Sequence, residues 1–261
     1  MAAEGADYAQ PTPRRLYIHD DLTAEVALDR GTGSPAAALA TALLVLLARD
    51  RERVRVLTLH EQVERVAAQG PHAFFDAAIG IGAAGERVAR TLHARTGWFP
   101  RIRQVGLTRE EDGRGRYRLV GEGGDLKARL ADLADAASLA VVDDTVFSGL
   151  TMRGLIEALP DPVRPRTRAF CLRGVGESIA TVAALCPITA GVVAPGRLLE
   201  DVSFINASGL VRRIAIRRPG RPPLVFFDRP EWIRAWFPDA HAEVLALCRR
   251  LNALLEPERH A

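Results

Sequence analysis

The residues best suited to chemistry lie together between positions 143 and 151. There Asp143 and Asp144 are followed by Thr145, Ser148, Gly149 and Thr151. The hydroxyls are hydrogen-bond donors, and the glycine lets the backbone come close to a ligand. From Leu150 onward Met152, Leu155, Ile156 and Leu159 recur at helical spacing, so the small-residue loop feeds a helix. The first amides of such a helix, and the positive end of its dipole, favour an anion, for which a phosphate is the natural guest. Two adjacent carboxylates beside a phosphate repel it unless the ligand also offers hydroxyl donors or a cation. A phosphorylated sugar bound with a divalent metal offers both.

The elements around this stretch must position it. Leu139–Val142 is a short, unbroken apolar run, which fits a strand covered on both faces as in a parallel sheet, and the acidic pair is expected to end it. Upstream, residues 74–81 form another apolar strand, ending in the glycine-rich stretch Gly80-Ile-Gly-Ala-Ala-Gly-Glu86 before the helical pattern of Val88, Leu92 and Arg95. Taken alone, such glycines are explained by tight packing of helix on strand. Between the two units, residues 108–118 are charged and glycine-punctuated, which predicts a long loop or a hairpin. Strands are further expected at 53–59, 102–107, 166–172 and 188–193, and helices at 61–68, 125–133 and 177–185. That alternation from about residue 53 to 193 predicts an α/β fold with a parallel sheet.

Residues 141–151, Val-Val-Asp-Asp-Thr-Val-Phe-Ser-Gly-Leu-Thr, resemble the phosphoribosyl diphosphate signature of type I phosphoribosyltransferases. A Walker B-like strand would need an upstream Gly-x-x-x-x-Gly-Lys-[Ser/Thr] loop, which the sequence lacks. The resemblance implies the parallel-sheet type I fold with a small variable hood. It also implies transfer of a 5-phosphoribosyl group from phosphoribosyl diphosphate, with Mg²⁺ as cofactor, to a small-molecule acceptor such as a nucleobase. By the same resemblance Asp143 and Asp144 hold the ribose hydroxyls. Thr145, Val146, Phe147, Ser148, Gly149, Leu150 and Thr151 wrap the 5′-phosphate. The glycine stretch becomes the diphosphate loop, binding the diphosphate through Gly82, Ala83, Ala84, Gly85 and Glu86, with the amides of the first four facing the leaving group. The charged segment becomes a lid, from which Arg109, Arg114, Arg116 or Tyr117 approaches the diphosphate. Arg109 and Arg116 therefore join the two aspartates as candidate catalytic residues. No metal ligand is assigned. A cytoplasmic homodimer is implied, without nucleic-acid or membrane partners.

One position departs from the family pattern. In members that salvage 6-oxopurines, the third residue after the acidic pair is typically a carboxylate, and here it is Phe147. The resemblance therefore points away from ordinary hypoxanthine or guanine salvage. Two other readings stand beside the nucleobase one: a non-nucleobase acceptor in specialised metabolism, and a non-catalytic sensor of phosphoribosyl diphosphate. A sensor acting on DNA would want a helix-turn-helix, and residues 1–60 show no clear one.

The remaining chain fits around this core. The 261 residues are enough for a full core, and 48% hydrophobic with 26% charged residues is ordinary for a globular protein. A formal net charge of +3 is too small to imply nucleic acid by itself. Nearly all the positive charge is arginine, Lys127 being the only lysine. Cys171, Cys186 and Cys248 are odd in number and far apart, so neither a disulfide framework nor a cysteine zinc site is indicated. The most apolar stretch, residues 36–48, is too short to span a bilayer.

Residues 1–13 read as a tail, 14–60 as a segment packing on core or hood, 53–194 as the core, 195–237 as the hood and acceptor region, and 238–261 as a C-terminal helix. Within the hood, strands are expected at 202–206, 211–216 and 224–227. Phe147, Phe227, Asp228 and Trp232 are candidate acceptor contacts, since an aromatic face can stack on a heterocycle and a carboxylate can accept from its N–H groups. Closure of a small satellite core by Phe226, Phe227, Trp232 and Trp236 explains the same residues equally well. His19-Asp20-Asp21 reads as a strand exit with an aspartate capping the next helix, and Ser34-Pro35 as the start of another.

Overall fold

The structure, a computed structural model, describes residues 12–71, 73–111, 117–121, 123–218 and 221–256. In chain order it contains β1 (Arg15–Asp20), α1 (Thr23–Arg30), α2 (Pro35–Leu47), β2 (Val54–Thr58), α3 (Leu59–Gln69), β3 (Ala77–Ile81), α4 (Gly82–Thr96) and β4 (Ile102–Val105). Then come β5 (Leu107–Glu111), β6 (Tyr117–Gly121), α5 (Leu126–Leu130), β7 (Leu139–Val146), α6 (Leu150–Ala158), β8 (Thr167–Val175), α7 (Gly176–Ala183) and β9 (Ile188–Ala194). The chain ends with β10 (Val202–Asn206), β11 (Ile216–Arg218), β12 (Arg221–Leu224), α8 (Pro230–Trp236) and α9 (His241–Leu255). It divides into two compact units, Met1–Leu59 with Leu199–Ala261, and His60–Leu198.

In the first unit, β1 lies between β10 and β2, all parallel. Its Leu16 and Ile18 are fully buried with Leu22, Leu43, Ile233, Cys248 and Leu251. Asp20 caps α1, its Oδ1 accepting from the backbone N–H of Leu22 at 3.1 Å and of Thr23 at 2.9 Å. Asp21 instead receives the backbone N–H and hydroxyl of Ser208, at 2.8 and 2.6 Å. Both acids of the His19-Asp20-Asp21 trio thus serve the turn. Ser34 caps α2 through the N–H of Ala37 at 3.1 Å, with Pro35 as the first helical residue.

Two assignments change here. Of residues 53–59, expected to open the core sheet, Val54–Thr58 form β2 and pair with β1 in the first unit, and Leu59 already begins α3. Alternation marks a strand but does not say which sheet it joins. Residues 211–216, expected as a strand, lie mostly in a turn: Val211 and Arg212 donate back to the Ser208 carbonyl at 3.1 and 2.8 Å, and only Ile216 reaches β11. The expected tail lies outside the described residues up to position 11, and the C-terminal helix is α9.

The second unit is built on a five-stranded parallel sheet in the order β4-β3-β7-β8-β9. The central strand β7 is covered on both faces. Leu139 and Val141 join one cluster with Met152, Leu155 and Ile156 of α6, whereas Ala140 and Val142 join another with Val66, Leu92, Phe99 and Phe170. Burial on both faces is why this strand reads as a continuous apolar run. From β3 the chain turns outward to β4, while β7 returns to the other side of β3 and leads on to β8 and β9. The carboxyl ends of β3 and β7 therefore flank the point where strand order reverses, the place where open α/β sheets bind ligands. The expected strand 102–107 is interrupted after Val105, and Leu107 opens an antiparallel hairpin of β5 and β6.

Candidate active site

The acidic pair sits inside the sheet. β7 does not stop at Asp143 but runs through Val146, because β8 continues beside it with Thr145 opposite Arg173 and Val146 opposite Gly174. Asp143 is buried at 9% exposure, and its Oδ1 accepts the backbone N–H of Asp144 at 2.8 Å. The Asp144 side chain is 24% exposed, and its Oδ2 accepts from the Thr145 hydroxyl at 3.1 Å. The same oxygen accepts from Arg173 Nη2 at 3.1 Å, and Arg173 is only 1% exposed. Arg173 Nη1 in turn donates to Gln62 Oε1 of α3 at 3.2 Å. The Asp144 carboxylate thus stands beside a buried guanidinium, which offsets part of the cost of holding a charge there.

The loop after β7 is shorter than the spacing suggests, since Thr145 and Val146 belong to the strand and Leu150 already begins α6. Phe147, Ser148 and Gly149 make the turn. Gly149 has φ +74°, a left-handed conformation that side chains rarely adopt, and it lies against Ser178 and Thr181 of α7. Ser178 donates its hydroxyl to the Phe147 carbonyl at 2.7 Å, so α7 braces the turn from behind. α6 has no side-chain cap. By helix geometry the amides of its first turn without an acceptor in the helix are those of Leu150, Thr151 and Met152, and that of Leu150 donates to the Ser148 hydroxyl at 3.5 Å.

The glycine stretch after β3 is helix rather than loop. α4 begins at Gly82, so Gly82, Ala83, Ala84, Gly85 and Glu86 occupy its first turns. Gly82 has φ +59° with open space around it, so its backbone conformation rather than crowding calls for glycine. Gly85 packs on β7: an added Cβ would lie 2.5 Å from the Val142 carbonyl oxygen and 3.4 Å from the Asp143 Cα. An added Cβ at Gly80 would strike the backbone of Glu86. These glycines bring the start of α4 directly onto the strand that carries the aspartates. The amides of Gly82, Ala83 and Ala84 have no acceptor within the helix, whereas that of Gly85 falls where the helical ladder begins. The Glu86 carboxylate is paired with Arg90, at 3.0 and 2.6 Å.

The remaining candidates are dispersed. Arg109 lies on β5, and Arg114 and Arg116 lie outside the described residues. The hairpin stem meets α6, where Gly154 makes room for Leu119 of β6. Phe147 belongs to the second unit, whereas Phe227, Asp228 and Trp232 belong to the first. Asp228 Oδ2 accepts the Val225 N–H at 3.3 Å, which closes a short 3₁₀ turn. Phe226, Trp232 and Trp236 form a ring cluster with centroids 5.1 to 6.1 Å apart. Phe226, Phe227 and Trp232 all pack against the first unit's core, as the satellite-core explanation expects.

Arg173, Gln62 and Ser178 were not among the residues singled out from sequence. The signal for the first was there, as an arginine ending the otherwise apolar run Ala169-Phe-Cys-Leu172. Nothing in the local pattern marks Gln62 or Ser178.

No protein-family model and no curated protein matches the chain. Several solved structures are similar to it. A purine phosphoribosyltransferase from Pyrococcus horikoshii is 18% identical with a TM-score of 0.37, over 56% of this chain and 86% of that one. An APRTase from Giardia lamblia, complexed with 9-deazaadenine, is 14% identical with a TM-score of 0.39, over 58% and 84%. An orotate phosphoribosyltransferase from Aeropyrum pernix is 19% identical with a TM-score of 0.30, over 62% and 73%. Phosphoribosyltransferases are thus among the solved structures to which the chain is similar.

Proposed function

We propose that the protein is a phosphoribosyltransferase, passing the 5-phosphoribosyl group of phosphoribosyl diphosphate to a small-molecule acceptor and releasing diphosphate. One observation carries the reading. Two helices, α4 and α6, begin at the carboxyl ends of neighbouring strands at the switch point of the sheet, and Asp143 and Asp144 lie between them.

The physical task is to accommodate positive charge growing at the anomeric carbon and negative charge growing on the leaving group. The first-turn amides of α6, with Ser148 and Thr151, hold the 5′-phosphate. The amides of Gly82, Ala83 and Ala84 face the diphosphate as preorganised dipoles. Asp143 and Asp144 accept from the ribose hydroxyls and place negative charge near the cationic centre. The β5–β6 hairpin, with Arg109, serves as the lid that keeps water from capturing that centre. No covalent nucleophile is required.

Magnesium fits this donor set. Among the described residues no group of three or more His, Cys, Asp or Glu side chains is arranged to hold a metal. Mg²⁺ is commonly held by one or two carboxylates with substrate phosphates and water, which Asp143 and Asp144 can provide. When bound, it supplies Lewis-acid neutralisation of the diphosphate.

Phe147 favours an acceptor outside the 6-oxopurines, because the turn offers an aromatic ring where a proton-handling carboxylate would stand. The experiment is incubation with phosphoribosyl diphosphate, Mg²⁺ and a panel of heterocyclic and non-heterocyclic acceptors while diphosphate is measured. Diphosphate release with one class of acceptor is expected. Tight donor binding with no release from any acceptor would instead indicate a sensor. The cytoplasmic homodimer belongs to the same proposal, and sedimentation of the pure protein tests its assembly.

A further inference from the structure

Resting on that reading of the donor site, we propose that Arg173 is a positioning residue that fixes the Asp144 carboxylate for the ribose hydroxyls. A fully buried guanidinium is costly unless its donors are met, and here one side bonds Asp144 and the other Gln62. Gln62 is itself fully buried. It is brought into reach because Gly191 of β9 lets α3 descend onto the sheet: an added Cβ there would lie 2.6 Å from the Gln62 carbonyl oxygen and 2.8 Å from that of Leu172. The chain of support runs from α3 through Gln62 and Arg173 to Asp144. A planar guanidinium with fixed donors holds a carboxylate in one orientation, which a lysine ammonium does less well. Asp144 therefore presents itself to a ligand already oriented, and little ordering is left for the ligand to cause.

The test is a double-mutant cycle read by calorimetric binding of phosphoribosyl diphosphate with Mg²⁺. Arg173→Met should weaken binding about tenfold in the native background and hardly at all in an Asp144→Asn background, because residues in one network are non-additive. Arg173→Lys should recover part of the loss, and Gln62→Leu should show a smaller loss with the same dependence on Asp144. If Arg173→Met does not fold, as a thermal melt will show, the lysine and Gln62 variants complete the cycle. Equal losses in both backgrounds would overturn the positioning role while leaving the donor site standing. Absence of binding by the unaltered protein would overturn the donor reading and this inference with it.

Discussion

Gly85 and Val142 stand in direct contact: a Cβ at position 85 would lie 2.5 Å from the Val142 carbonyl oxygen. The opposing atom is strand backbone, which cannot swing aside as a side chain can. Gly85→Ala should therefore push α4 away from β7 and destabilise the protein by about 1–3 kcal/mol, the range for overpacking. The same displacement moves the amides of Gly82, Ala83 and Ala84 away from Asp143, so donor affinity should fall beyond what the stability loss explains. Denaturant midpoints alongside binding isotherms measure both, and an alanine variant as stable as the parent would show that the contact is not tight.

Ser178 of α7 braces the turn after β7. Removing the Ser178 hydroxyl leaves the Phe147 carbonyl without that bond, at a cost of about 1 kcal/mol. Ser178→Ala should raise the donor KM more than it lowers stability, because it frees the three residues that lead into α6. Gly149→Ala should be worse, since a left-handed conformation costs an L-residue about 1–2 kcal/mol and the new methyl would stand 3.0 Å from the Thr181 hydroxyl. Steady-state kinetics at fixed acceptor separate the two variants, and identical KM values would refute the bracing role.

The parallel sheet was legible because β7 and its neighbours are buried on both faces, and burial leaves unbroken apolar runs. The acidic signature was legible because small residues and hydroxyls between strand and helix serve few structural ends. Three things were not. Alternating residues 53–59 announced a strand, but which sheet it joined depends on β1 and β10, which are distant in sequence. The Gly82–Glu86 stretch looked like a loop because glycine is a poor helix former, yet Gly85 answers to contact with β7 and Gly82 to its left-handed backbone conformation rather than to propensity. Gln62 was invisible for a similar reason. Its role depends on where Arg173 lies, and no spacing between positions 62 and 173 encodes that.

The aromatic residues before α9 offer a different test. Trp236 is 3% exposed and meets Phe226 edge-on with centroids 5.1 Å apart. Truncating it leaves a large cavity in the first unit's core, so Trp236→Ala should cost about 3–5 kcal/mol. Asp228→Ala should cost about 1 kcal/mol, the worth of a lost cap. If these residues serve folding alone, Trp232→Ala will lower stability and leave the acceptor KM unchanged. A selective rise in acceptor KM would place Trp232 at the acceptor.

The buried cysteines should lower stability at alkaline pH. Burial pushes the Cys248 thiol up to about 12 and the Cys186 thiol up to about 11, from an ordinary value of 9.0. For Cys186 the N–H of Ala169 and the charge of Arg168 pull part of the way back. Cys171 is raised further, first by burial and then by the negative charge of Asp143. A thiol raised on folding keeps its proton in the native state after the unfolded chain has lost it. Its stabilising contribution is therefore complete below about pH 9, the unfolded value, and is lost as pH rises towards the folded one. Between pH 9 and 11 each such thiol should tilt the unfolding free energy downward by about 1.4 kcal/mol per pH unit at most. Denaturant unfolding from pH 8 to 11 under reducing conditions measures that slope. A thiol reagent should leave all three cysteines unmodified in the native protein at pH 8, and rapid stoichiometric labelling there would contradict their burial.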